Sequence, residues 1–177
     1  MKGVWTAFLD RDGTISQKAP DGGYVLSPDQ LRLIPGACAA IHRLNEAGWR
    51  TVVVTNQRGI ARGQMSEDDL LCVHNRMREL LGECGATLDR IYHCPHEAGT
   101  CSCRKPGTGM LERARQEDPE IAFERSVLIG DSQIDIDAGR AAGIRTVAIG
   151  PASDASHQAA DLGEAIDWAL SAAVADL

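Results

Sequence analysis

Apolar, β-rich runs alternate with stretches of helical spacing along the chain. "VWTAFLD" (4–10), "TVVVTN" (51–56), "RIYHC" (90–94), "SVLIGD" (126–131) and "RTVAIG" (145–150) are short and mostly apolar. That is the pattern of strands buried on both faces. Between them the apolar positions recur at three to four residues, which predicts helices over 37–48, 66–85, 109–117, 134–143 and 161–177. Ser66, with acidic residues behind it, marks a helix start, and Gly48 a stop. The strand–helix alternation predicts an α/β fold, a doubly wound, Rossmann-like parallel sheet in three α/β/α layers. One domain spanning 1–177 is expected. The loops at 13–35 and 94–108 exceed what simple connections need, so function is expected there, beyond the carboxyl ends of the strands.

Composition narrows this picture. The chain has 177 residues and a net charge of −7. The charge argues against non-specific nucleic-acid binding but not against a small anionic substrate. No run of 18 apolar residues is present, so no membrane partner is expected. The N-terminus "MKGVWTAFLDRDG" lacks a secretory pattern, and a cytoplasmic monomer is expected. Six cysteines in such a chain argue against a disulfide framework. Cys38, Cys72 and Cys84 lie in helical patterns and are expected to be small, buried or half-buried side chains.

Candidate chemistry collects at the strand ends. "FLDRDGT" (8–14) closes the first strand with Asp10 and Asp12, which strand alternation can turn toward one site. Two carboxylates in one site repel, so a cation is a natural companion. Asp131 ends the fourth strand and can approach that pair. An oxygen-only site of this kind suits Mg²⁺. Asp135 and Asp137 begin the next helix. Asp137 reads as favourable charge at the helix start, and Asp135 either as that or as support for the site.

"DRDGT", "VVVTNQRG", "RKP" and "IGDSQIDIDAG" together resemble the four ordered motifs of the haloacid dehalogenase-like phosphatases, over roughly residues 4–150. The resemblance implies roles. Asp10 would be the nucleophile that becomes an aspartyl-phosphate, and Asp12 the general acid/base. Thr55 would bind the transferring phosphoryl group, and Lys105 would offset negative charge. Asp10, Asp131 and the backbone carbonyl of Asp12 would hold Mg²⁺. Gly13 would make the turn that follows.

Cys94, His96, Cys101 and Cys103 form C-x-H-x₄-C-x-C, a Cys₃His set that matches structural zinc. Chance clustering, a Cys101–Cys103 redox pair and His93 as the ligand are the alternatives. A closed zinc site leaves no position for substrate, so its expected work is to fold the loop and aim Arg104 and Lys105, which follow directly. The loop narrows the resemblance to the branch containing D,D-heptose 1,7-bisphosphate and histidinol-phosphate phosphatases, which lacks a large cap domain. That branch implies substrate contacts from Asn56, Gln57, Arg58 and Arg104 and a closing loop at "APDGGYV". The short x₄ segment is nearer the histidinol enzymes, and Ser132 stands where some heptose enzymes carry lysine. The chain also stops without the second domain often fused to the histidinol enzymes. The resemblance favours removal of the 7-phosphate of D-glycero-D-manno-heptose 1,7-bisphosphate, over histidinol phosphate or another small sugar phosphate.

Overall fold

The computed structural model describes residues 3–20 and 22–175. Asp21 of the expected closing loop, and residues 176–177 of the last expected helix, lie outside the described residues. In chain order the elements are β1 (Val4–Leu9), α1 (Ala37–Glu46), β2 (Arg50–Asn56), α2 (Glu67–Gly82), β3 (Arg90–Cys94) and α3 (Gly109–Glu117). They continue with β4 (Ile121–Gly130), α4 (Gln133–Ala141), β5 (Arg145–Ile149), β6 (His157–Ala159) and α5 (Leu162–Ala175). All strand pairs are parallel, in the order β3-β2-β1-β4-β5-β6. The predicted doubly wound sheet is therefore present.

Period-two alternation divides the core between the two faces. Leu9, Val53, Val127 and Val147 pack with Ile41, Leu44, Met77, Leu81 and Ile166 of α1, α2 and α5. Phe8, Val52, Val54 and Leu128 face Met110, Leu111 and Ala138 of α3 and α4. Every one of these residues is buried, which is why the strands read as continuous apolar runs. Ser66 caps α2 through a reciprocal pair: its hydroxyl accepts from the Asp69 amide, and the Asp69 carboxylate accepts from the Ser66 amide.

Three features differ from the sequence expectation. Strand β6 has three residues, "HQA", too short and polar to stand out as a run. Strand β4 begins five residues before the apolar run at 126, and its pairing with β1 shifts register between Val4 and Thr6. Such an irregularity breaks the two-residue pattern that sequence reading relies on. Cys38 and Cys84, expected to be separate side chains, are joined as a disulfide with Cα atoms 6.2 Å apart. They lie 46 residues apart in sequence, and only the packing of α1 against the end of α2 brings them together.

Candidate active site

The strand order reverses between β1 and β4, and a crevice opens at their carboxyl ends. Asp10 follows β1 there, Thr55 and Asn56 end β2, and Asp131 follows β4. All four line a cavity of about 440 Å³, together with Asp12 and Lys105.

Lys105 arrives from the loop before α3 and is almost fully buried. Its ammonium lies 2.7 Å from Asp10 Oδ1, 2.7 Å from the Val54 carbonyl and 2.6 Å from Asp135 Oδ1. The Asp135 contact is a close pairing of charges rather than an aligned hydrogen bond, since Oδ1 has no hydrogen-bond partner among the described residues. Asn56 fixes the lysine's backbone from both sides. Its Nδ2 donates to the Lys105 carbonyl at 3.1 Å, and its Oδ1 accepts from the Lys105 amide at 3.0 Å. Burial pushes the Asp10 carboxyl up to about 7, against the pull of Lys105 and with the added repulsion of Asp135.

Carboxylate oxygens of Asp10, Asp131 and Asp135 lie within 4.8 Å of one another. Such an oxygen set suits a hard divalent cation. The backbone leaves room for it only because of glycine. A Cβ on Gly13, whose φ is +92°, would sit 2.0 Å from Asp131 Oδ2, and one on Gly130 would sit 2.3 Å from Asp135 Cγ. The Asp131 carboxylate pairs with Lys18 Nζ at 2.5 Å. Asp135 makes contacts on both sides. Its Oδ2 accepts from the Ser132 amide, capping α4, while Oδ1 faces Lys105.

The Asp12 side chain does not join that cluster, so its expected place at the metal rests on its carbonyl alone. Its Oδ1 accepts from Arg11 Nε at 3.0 Å and Ser16 Oγ at 3.2 Å. Its Oδ2 accepts from Arg11 Nη2 at 2.8 Å and Gln57 Nε2 at 3.0 Å. Gln57 corrects an expectation: it is fully buried, absent from the cavity wall, and also donates to Thr55 Oγ1 at 2.8 Å. It therefore braces Asp12 and Thr55 rather than meeting solvent-borne substrate. Arg58 also points elsewhere. It donates to Tyr24 Oη at 3.1 Å and pairs with Glu97 at 3.4 Å, tying the 13–35 loop to the cysteine loop. Arg104 is half-buried beside the site but does not line this cavity, and its Nη1 has no hydrogen-bond partner among the described residues.

The cysteine loop closes into one cluster. Cys94 Sγ lies 3.5 Å from Cys101 Sγ and 3.2 Å from Cys103 Sγ, and the latter two are 3.4 Å apart. His96 Nδ1 is 3.6 Å from Cys94 Sγ and 3.2 Å from Cys103 Sγ. A tetrahedron with metal–ligand bonds of about 2.0–2.3 Å has edges of roughly 3.5–3.8 Å, so the four donors fit around one zinc ion. His93 is not part of the cluster; its Nε2 contacts Glu67 at 2.8 Å.

Sequence reading missed Arg11, Ser16, His74, Lys18 and Tyr24. Arginine between two aspartates in a Gly-containing turn reads as solvated, yet Arg11 is among the largest fully buried side chains. Nothing in the linear order signals that it folds back on its neighbour.

The HAD-hydrolase-like family model matches residues 102–176. The D-glycero-beta-D-manno-heptose-1,7-bisphosphate 7-phosphatase of Rhodopseudomonas palustris is 43% identical over 146 residues, covering 78% of this chain and 79% of that protein. The Yersinia pestis protein of the same name is 40% identical over 181 residues, covering 96% and 91%. The crystal structure of D,D-heptose 1,7-bisphosphate phosphatase from B. bronchiseptica, complexed with magnesium and phosphate, superposes with a TM-score of 0.85 at 30% identity, covering 94% and 98%. With this sheet order, these acidic strand ends and this degree of identity, the chain belongs to the haloacid dehalogenase-like hydrolases, in the branch of the heptose bisphosphate phosphatases.

Proposed function

We propose that the protein is a Mg²⁺-dependent phosphatase that removes the 7-phosphate of D-glycero-D-manno-heptose 1,7-bisphosphate through an aspartyl-phosphate. The observation that carries the chemistry is the convergence of Asp10, Lys105 and Asp131 at the switch point of the sheet, with Asp12 on the same cavity. The substrate rests on the relatives, which share 40–43% of their residues with this chain.

Asp10 attacks phosphorus, forming a carboxylate–phosphorus bond as the bond to the sugar oxygen breaks. Asp12 gives its proton to the departing oxygen, so the sugar leaves as an alcohol. Asp12, now a carboxylate, takes a proton from water, whose oxygen attacks phosphorus and frees inorganic phosphate and Asp10. Lys105 balances the charge on Asp10 and on the phosphoryl oxygens, while Thr55 offers them a hydroxyl. Asp10, Asp131 and the Asp12 carbonyl would hold Mg²⁺, which supplies further charge neutralisation when bound. Zinc on Cys94, His96, Cys101 and Cys103 would be structural, because four protein donors leave no open position. Lys18, a cation on the cavity wall beside Asp131, is an additional anion contact.

Phosphate release, measured with Mg²⁺ across heptose 1,7-bisphosphate, histidinol phosphate and other sugar phosphates, tests the reading. The bisphosphate should give the highest kcat/KM, with the 7-phosphate lost. Faster release from histidinol phosphate would reassign the substrate, and no release from any of them would reject the activity.

A further inference from the structure

Behind Asp12 lies a chain of contacts that the chemistry above leaves unassigned. Arg11 is fully buried and makes three directed hydrogen bonds. Nε and Nη2 form a two-pronged grip on the two oxygens of Asp12. The third, from Nη1, runs 3.3 Å to Nε2 of His74 on α2, 63 residues away. A guanidinium only donates, so His74 Nε2 must accept, and its ring proton sits on Nδ1. Burial, reinforced by the nearby Arg11 charge, holds His74 down to about 3 and keeps it neutral, as an acceptor must be.

We propose that His74 is a positioning residue for Asp12, acting through Arg11 to hold the carboxylate in one orientation toward the cavity. The proposal rests on Asp12 being the general acid/base. Among the described residues, His74 is the one hydrogen-bond partner of Arg11 Nη1. Without His74 this buried donor must turn to find one, and turning the planar guanidinium breaks its grip on both oxygens of Asp12. Gln57 and Ser16 each hold one oxygen and would restrain Asp12 only in part.

The leaving group reads this role. A sugar oxygen departs poorly and needs the proton from Asp12, whereas p-nitrophenolate leaves without it. General acid catalysis contributes about 10²–10⁴-fold, so partial misplacement should cost about 10-fold or more. In His74→Phe, kcat/KM for the sugar phosphate should fall by that amount. For p-nitrophenyl phosphate it should stay within about 3-fold, and a burst of p-nitrophenol should appear as hydrolysis of the intermediate slows. His74→Gln, which keeps an acceptor, should restore the sugar-phosphate rate. Arg11→Lys keeps the charge but not the two-pronged grip, and it should reproduce the Phe pattern if His74→Phe does not fold. Equal losses on both substrates, or none, in a folded variant would overturn the proposal. The crystal structure of His74→Phe, or of Arg11→Lys in its place, reads the Asp12 orientation without turnover. An unchanged orientation refutes the positioning role, while inactivity of the wild type on both substrates refutes only the activity.

Discussion

Asp10 and His74 show how burial gives ordinary side chains unusual behaviour. Asp10→Asn should abolish turnover, because an amide cannot form the acyl-phosphate bond. The same change loses the pairing with Lys105, which keeps Asp135, but removes a carboxylate whose charge burial disfavours and Asp135 repels, so the folded metal-free protein should survive it with little loss of melting temperature. Phosphate release and thermal melts of the purified variant check both halves, and residual full activity would remove Asp10 from the mechanism. His74 makes a prediction about pH. Its folded value, about 3, lies below the ordinary 6.5, so the unfolded chain takes up a proton that the folded protein refuses. Stability is therefore full above about pH 6.5 and declines as pH falls toward 3, at up to about 1.4 kcal/mol per pH unit from this residue. Denaturant titrations from pH 7 to pH 4 should show a shallower acid decline in His74→Gln than in the wild type. Of these residues, only the types with an obvious chemical signature were legible in sequence. Asp10, Asp12 and Asp131, singled out as strand-end acids, and Lys105, singled out by the family resemblance, line one cavity, whereas Arg11 and His74 were not singled out, because a buried polar pair carries no local pattern.

At the level of elements, the loop between β3 and α3 joins the Cys/His donor cluster to Lys105, the lysine of the proposed site. Cys94 ends β3, and Cys103 stands two residues before Lys105. The loop has little apolar material of its own, so a metal on the four donors would serve as its core. Cys101→Ala should lower zinc content, loosen residues 94–108, and reduce kcat/KM through loss of Lys105 placement. Mg²⁺ binding should largely survive, since Asp10 and Asp131 are held by β1 and β4. Elemental analysis, amide exchange over the loop and Mg²⁺ titration separate these effects. Full activity with a rigid loop would make the cysteines bystanders. Here the sequence was informative about the ligands and less so about direction. Arg58, expected at substrate, pairs with Glu97 and with Tyr24 of the cavity wall, a partner the sequence did not reveal because those two loops meet only once the sheet has formed.

For the whole molecule, the site is the meeting point of separate strand ends, and a cation would tie them together. Mg²⁺ should therefore stabilise the fold by mass action, by about 2.7 kcal/mol at a hundred times its dissociation constant. The melting temperature should rise with Mg²⁺ in the wild type and respond much less in Asp131→Asn. An equal rise in both would place the metal elsewhere. By itself the sequence determined the strand and helix order, the doubly wound sheet and the strand-end acids. It also pointed to the four cysteine-loop side chains that the fold brings together, since their clustering is written in close spacing. Tertiary structure alone decided what depends on distant segments meeting. Gln57 turned inward, Arg11 became buried between Asp12 and His74, Cys38 joined Cys84, and β6 completed the sheet edge. The physical reason is that hydrophobic patterning fixes which face of an element is buried. The partner of a buried polar group is set by which elements pack side by side, and that is a property of the assembled sheet.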